Sequence, residues 1–574
     1  MRSQTDKAQL YDRQLRLWHE SGQTALENAH VCVFGSSALA SETLKNLVLP
    51  GIGRFTVIDD AVVDEQDLLT NFFVQPTDAG RSRAQCIVDG LSELNPEARG
   101  AAIDRAPADM LESHAPSDQE LVASASLVVA CGLSDALVHT LGLRCWQLAT
   151  PLIVASTAGF MASVRTSIPE HAVVESHAEI KQDLRLASPF PALLAYADAI
   201  DLGALDPTDL GHVPFVAIVI KALQRWAADN GLALGTDTVD IPFRRLDEVR
   251  AIIREMAPSA DEENFVEAVK MVSANTSVYE IPSEVSLIIK DRAAAETDAT
   301  PSDTARCANN ASDKNKASDD ADVQNPLSIP DNVGDRFWLM AKALRRFTES
   351  AYSKGALPLS GAIPDMKADT KSYIALQRVY KQKADQDKAE LIKHVHQVLE
   401  SAGLPQTYIS QPEIDSFCKN AHRLRLLRLT PVHKELKSGP ASTEDLRYSE
   451  ALFHYVIFRS AGVFFSKHLR YPGVAEKNRE SVVDLDKLVE SDAAELAGIG
   501  NGLLHSWGMS DLAVPESLAA ELARSGCDEL HNIASLSGGM IAQEAIKLIT
   551  HQYVPANNLC IIDGTSAKIY TTSV

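Results

Sequence analysis

The sequence predicts an α/β fold: a mostly parallel sheet interrupted by a large, mainly helical inserted domain. Three observations carry this reading. Short apolar runs alternate with helix-patterned stretches over residues 1–168. The same alternation returns over 481–574, while 169–480 reads as mainly helical. Alternating strand and helix gives βαβ units around a parallel sheet, so the two ends of the chain complete one domain around the insertion.

The first strand is His30-Val31-Cys32-Val33-Phe34, a run apolar enough for a fully buried strand and closed by Gly35. A helix follows over 39–49, with Leu39, Thr43, Leu44, Leu47 and Val48 at helical spacing, and Pro50-Gly51 stops it. The second strand, 54–58, ends at Asp59-Asp60, and later strands fall at 126–130 and 151–155. Within the insertion, helices are expected over 215–226, 337–347, 384–401 and 443–461. Residues 293–322 contain no Leu, Ile, Val, Met or aromatic side chain. Such a stretch buries too little apolar surface to offset its ordering entropy, so 293–330 is expected to be a disordered loop. Near the end, Gly538-Gly539 leads into a helix through Thr550, and 559–562 is a strand closed by Asp563-Gly564.

A length of 574 residues exceeds a single core and implies at least two domains. With 54 Lys and Arg against 77 Asp and Glu, the formal charge is −23, which argues against a general nucleic-acid binder. The eight cysteines form no CxxC pair and no zinc spacing, as in a reduced intracellular protein. The polar N-terminus lacks a signal-peptide core, and no apolar run of about 18 residues marks a membrane span. The expected location is therefore cytoplasmic, nuclear or both.

The strand-turn-helix over 30–48, with Asp59 ending the next strand, has the Rossmann-like layout of a nucleotide site. In such a turn, glycines admit phosphates to a helix N-terminus and the acidic residue takes ribose hydroxyls. Here the turn reads Gly35-Ser36-Ser37-Ala38-Leu39-Ala40, placing Ser37 and Ala40 where the G-x-G-x-x-G fingerprint needs glycine. A Cβ at both positions crowds the phosphate path, which favours a turn that only packs.

Several segments in order resemble the activating enzymes of ubiquitin-like proteins, the ThiF or ubiquitin-activating family. They are Tyr11-Asp12-Arg13-Gln14-Leu15-Arg16-Leu17-Trp18, Pro50-Gly51-Ile52-Gly53 before the strand ending at Asp59, Asn71-Phe72-Phe73, Gly80-Arg81-Ser82-Arg83-Ala84, and Gly538-Gly539 through Gln543-Glu544. Ile363-Pro364-Asp365-Met366 through Tyr373 to Gln377, and Arg470-Tyr471-Pro472-Gly473-Val474, are similar to the silent half of the two-chain, neddylation-type members. The resemblance implies an adenylation fold and covers nearly the whole chain except 293–330. Active halves of that family hold ATP with a glycine-rich turn, a ribose carboxylate, an Arg after an Asn, a Lys and a magnesium-binding Asp. At the matching positions this chain has Gly35 but also Ser37 and Ala40, keeps Asp59, and puts Phe72 after Asn71 and Arg83 for the Lys. Cys131-Gly132-Leu133-Ser134 offers no carboxylate, although Asp135 is close by.

The resemblance therefore implies a regulatory subunit that binds no cofactor and has no catalytic residue of its own, ATP and magnesium being held by a partner catalytic subunit. The pair would adenylate a ubiquitin-like modifier and pass it on as a thioester towards a conjugating enzyme. No cysteine is followed by Ser or Thr, as the family's thioester cysteine typically is; Cys418 is the candidate expected to be least buried. Arg13 matches an N-terminal Arg that reaches in trans to the ATP of the active half. His212 and the stretch Asp365, Met366, Asp369, Tyr373, Ile374, Leu376, Gln377 and Arg378 are the expected contacts with the partner subunit. The alternatives are the silent subunit for a SUMO-type modifier, expected to be shorter and without the long insertion, and a self-sufficient adenylating or NAD-dependent enzyme.

Overall fold

The computed structural model describes residues 9–113, 115–179, 182–236, 239–275, 279–294, 333–475 and 484–574. Most of the stretch expected to be a disordered loop, from 295 on, lies outside the described residues. The chain divides into two units: one built from residues up to Val173 and from Leu426 on, the other from Val174 to Arg425.

The first unit is organised on an eight-stranded sheet. Its strands are β1 (His30–Phe34), β2 (Arg54–Ile58), β3 (Arg99–Ile103), β4 (Leu127–Cys131), β5 (Leu152–Ala158), β6 (Met161–Ser167), β7 (Leu559–Asp563) and β8 (Lys568–Thr572). Their spatial order is β8-β7-β6-β5-β4-β1-β2-β3. The five strands from β3 to β5 in that order pair in parallel. β6, β7 and β8 continue the sheet antiparallel, so the last segment of the chain extends a sheet begun by the first.

The pleat explains why β1 reads as a continuous apolar run. Val31 and Val33 face one buried cluster, and Cys32 and Phe34 face another, so both surfaces of the strand are covered. The first cluster is completed by α1 (Asp12–Asn28), α2 (Ala38–Val48), α3 (Arg83–Leu94) and a C-terminal helix; the second by α4 (Asp135–Gln147). That C-terminal helix is not preceded by Gly538-Gly539 as the sequence suggests. It runs over His531–Thr550, and Gly538 lies within it. A Cβ on Gly538 would meet the backbone of Glu42 and Thr43 at 2.8 Å, so the glycine lets this helix press directly on α2.

The boundary of the insertion also differs from the expectation of 169–480, since residues 426–480 belong to the first unit where described. The helix expected over 443–461 is two helices, Thr443–Arg447 and α5 (Leu452–His468). Between them the Ser449 hydroxyl accepts the Ala451 amide at 3.2 Å, a local bond that competes with helix continuation. α5 buries Leu452, Tyr455, Val456 and Ile457 against Ala158, Met161, Leu559 and Ile561 of the sheet. Helical periodicity reports that a face is buried, not which unit covers it.

The second unit is helical, as expected. Phe215–Asp229 is apolar and buried over its first six residues, turns Lys221, Gln224, Arg225 and Asp229 outward after them, and packs with Leu246–Met256 and Glu263–Asn275. The helix expected over 384–401 is the second half of a longer one, Thr370–Ser401, anchored where the Tyr380 hydroxyl donates to the Leu184 carbonyl at 2.8 Å. Among the described residues no helix is long and apolar enough to cross a membrane.

A stacked histidine pair in the first unit gives it an acid-sensitive point. The His171 and His551 rings lie 4.6 Å apart, and the His551 Nδ1 position bonds the Ala172 carbonyl at 2.8 Å. Burial, and secondarily His551, holds His171 well below its ordinary value of 6.5. His171 is therefore neutral when folded, and the unfolded chain binds the extra proton. Its contribution to stability is full above about pH 6.5 and is lost on acidification by up to about 1.4 kcal/mol per pH unit. Denaturant midpoints measured through that window should fall less steeply in His171→Phe than in the natural chain; equal slopes would disprove the assignment.

Candidate functional site

In open α/β sheets, ligands bind past the carboxyl ends of the strands where the winding reverses, here between β1 and β4. Two turns meet at that point: Gly35-Ser36-Ser37 after β1, and Gly132-Leu133-Ser134 after β4. Gly35 has φ +94°, and a Cβ on it would lie 2.4 Å from the Cys131 carbonyl. The glycine that lets the two turns touch is retained. Ala40 is fully buried, its methyl a core group against the C-terminal helix, and Ser37 is the N-cap residue of α2.

The N-terminus of α2 already holds a carboxyl group from within the chain. The Ser37 hydroxyl donates to Glu529 Oε1 at 2.8 Å, and the Leu39 amide donates to Glu529 Oε2 at 3.0 Å. Burial is the largest influence and sets the pKa of Glu529 above its ordinary value; the Ser37 hydroxyl, the Leu39 amide, the charge of Arg83 and the Ala38 amide offset it only in part. In nucleotide sites of this design, that helix end carries a phosphate.

Asp59 is equally occupied. Its Oδ2 accepts the Ser36 hydroxyl at 2.6 Å, the Ser36 amide at 2.8 Å and the Arg83 guanidinium at 3.1 Å. Burial works against ionisation of Asp59, but the Ser36 hydroxyl and Arg83 outweigh it and hold its pKa below the ordinary value. Arg83 also donates to Ser36 Oγ at 2.8 Å and to Asp67 at 2.9 Å. The cation standing in place of the family's lysine is thus bound between two carboxylates. Phe72 is exposed and meets Phe73 edge to face at 5.4 Å, while Asn71 is buried and accepts the Ser41 hydroxyl at 3.1 Å.

Asp135, the carboxylate nearest the position of the magnesium ligand, opens α4 and pairs with Arg459 of α5 at 2.7 Å. Gly462 gives that carboxylate its room, since a Cβ there would come within 2.4 Å of it. Among the described residues, no group of three or more His, Cys, Asp or Glu is placed to hold a metal ion. These residues do not fit ATP with magnesium: the helix end, the ribose carboxylate and the nearest metal carboxylate are each taken by a partner from the chain itself.

Of the eight cysteines, Cys307 lies outside the described residues. Cys418 is buried on the helix Gln411–Lys419, which corrects the expectation that it is the least buried, because its side of that helix also carries Ile414 and Phe417 into the core. Cys527 is the most accessible of the described thiols. Burial pushes both Cys418 and Cys527 up to about 12, away from a reactive thiolate.

Among the expected partner contacts, Asp365, Ile374 and Arg378 are exposed, and His212, Tyr373 and Gln377 partly so. Asp369 caps the helix Thr370–Ser401 by accepting the Ser372 amide at 2.6 Å, the bond that does most to lower its pKa. Met366 and Leu376 are not surface residues, however, and are buried in the core of the second unit. Leu376 and Tyr380 share the inward face of the helix at i, i+4 spacing, whereas Ile374 and Arg378 lie on the outward one. Arg13 is exposed on α1, and the neighbouring Asp12 pairs with Arg16 at 2.9 Å. Sequence reasoning missed Glu529, Arg459 and Asp67, which no local motif marks.

The fold and this crevice define a doubly wound α/β protein of the nucleotide-binding type whose site is filled by its own side chains. The chain belongs to the ThiF family, whose model matches residues 11–573. It is 36% identical over 570 residues to the NEDD8-activating enzyme E1 regulatory subunit of Danio rerio, covering 98% of each chain. It is 34% identical over 565 residues to the protein so named in Xenopus laevis, covering 97% of each. In Gallus gallus the corresponding protein is 34% identical over 574 residues, covering 98% of this chain and 97% of that one.

Proposed function

We propose that this chain is the regulatory subunit of a two-chain activating enzyme for NEDD8, silent in its own nucleotide pocket. Near-full-length similarity to proteins named as that subunit supports the pathway. The carboxylate of Glu529 on the N-terminus of α2 is the observation that most supports silence. Adenylation expels pyrophosphate and needs fixed cations around the phosphates. Here Arg83 and Arg459 are committed to internal carboxylates. In this reading the catalytic subunit supplies ATP, magnesium and the thioester cysteine. This chain supplies the docking surface and, from its N-terminal helix, Arg13. The pair adenylates the modifier's C-terminal glycine and passes it on as a thioester to a conjugating enzyme.

The test is modifier-dependent ATP–pyrophosphate exchange. The purified chain alone should give none, and the chain reconstituted with the catalytic subunit should restore it. Exchange by the single chain would overturn the reading.

A further inference from the structure

The crevice is not merely depleted of nucleotide-binding groups; it holds a substitute. The Glu529 backbone is fixed by a β-bridge to Gly159 at the turn between β5 and β6, and the Gly159 amide donates to the Asp528 carbonyl at 3.0 Å. This anchors the side chain at its root. Its two oxygens are taken separately, Oε1 by the Ser37 hydroxyl and Oε2 by the Leu39 amide, with the Ala38 amide and the charge of Arg83 also acting on the carboxylate. A side-chain hydroxyl, successive amides of a first helical turn and a nearby guanidinium form a cradle for a phosphate group. α2 is 11 residues long, so its aligned peptide dipoles favour negative charge at this end.

We propose that Glu529 is a tethered anion. It takes the place of a nucleotide phosphate on α2 and keeps the crevice in its ligand-bound arrangement without nucleotide. This rests on the reading of the crevice as nucleotide-free and deepens it: the pocket is permanently occupied, so the folded chain needs no ligand there, and removing the occupant exposes a latent phosphate site.

The experiment uses the full chain and inorganic pyrophosphate, with sodium chloride at matched ionic strength as control. In thermal unfolding, the natural chain should show no pyrophosphate-specific shift, because its cradle is filled. Glu529→Ala should melt a few degrees lower and be raised by pyrophosphate, as mass action requires of a ligand that binds only the folded state. Glu529→Gln keeps the volume but not the charge, so it should melt lower than the natural chain and gain nothing from pyrophosphate. Equal shifts in the natural chain and in Glu529→Ala, or no shift in either, overturns the proposal. Should Glu529→Ala not fold, the midpoint of Glu529→Gln decides: lowered, the anion is needed; unchanged, it is not. Because this chain is tested without its partner, failure here leaves the exchange assay and the subunit reading untouched.

Discussion

Glu435→Ala should destabilise the first unit by roughly 3–5 kcal/mol, the cost expected when one member of a buried ion pair is removed and its partner is left uncompensated. Arg165 on β6 and Glu435 on the helix Val432–Ser438 form an ion pair whose side chains are 6% and 2% exposed. The Tyr455 hydroxyl of α5 donates to the same carboxylate. Burial first, then the adjacent Glu435, holds that phenol well above its ordinary pKa, so it remains a donor. The truncation therefore strands a guanidinium and a phenol together. Glu435→Gln should cost less than Glu435→Ala, because it keeps the volume and an acceptor. Arg165→Met with Glu435→Leu should recover much of the loss, since buried ion pairs are often replaced by apolar groups at little cost. Equilibrium denaturant unfolding reads all three. A loss below about 1 kcal/mol for Glu435→Ala would mean that solvent reaches Arg165 and the pair is no more than a surface contact.

The same helix completes the candidate site from its far side. α5 sends Tyr455 to Glu435 and, one turn later, Arg459 to Asp135 at 2.7 Å. The Arg459 guanidinium also donates to the Leu436 carbonyl at 2.9 Å. A helix that the sequence pattern assigns to the insertion thus neutralises the carboxylate nearest the expected magnesium position and binds the antiparallel part of the sheet. The contacts that occupy the Asp135 carboxylate and those that hold this unit together therefore come from one helix.

Much of this was legible in the chain because it is written locally. Strands covered on both faces are continuous apolar runs, so β1, β2 and β7 were readable to within a residue. The absence of glycine at Ser37 and Ala40, and of Arg at Phe72, was equally plain. What was hidden depends on pairing across the sequence. Glu529 reaches Ser37 across 492 positions, and Arg459 reaches Asp135 across 324. Nothing near either end of those contacts marks it. Asp59 read as a leftover ribose ligand, yet it organises Ser36 and Arg83. Gly538 read as a turn residue, although its missing side chain serves helix-to-helix contact. Met366 and Leu376 read as surface because a resemblance carries residue identity but not the direction a side chain takes on a helix.

Arg13→Ala is expected to slow adenylation by the reconstituted pair on the order of a thousandfold, the scale of an arginine that stabilises phosphoryl charge in trans, while leaving assembly intact. The position of Arg13 suits such a role. Two residues before it, Tyr11 is buried, accepts from Asn95 Nδ2 at 3.3 Å and packs so closely on Gly51 that a Cβ there would fall 2.9 Å from its ring. Five residues after it, Trp18 is buried and donates from its ring N–H to Gln23 at 3.1 Å. Beyond that tryptophan the helix kinks at His19, which has φ +57°. The segment is thus pinned on both sides of an arginine that projects into solvent, and truncating Arg13 removes charge without disturbing either anchor. A surface arginine of no function would leave pyrophosphate exchange unchanged. Arg13→Lys separates charge from shape: it keeps the cation but loses the planar fork that grips two phosphate oxygens, so its rate should fall between those of the natural pair and Arg13→Ala. Size-exclusion chromatography of each variant with its catalytic subunit provides the control. A slow pair that still co-elutes places Arg13 at the partner's ATP, whereas a slow pair that has dissociated makes it a docking residue and removes the trans role.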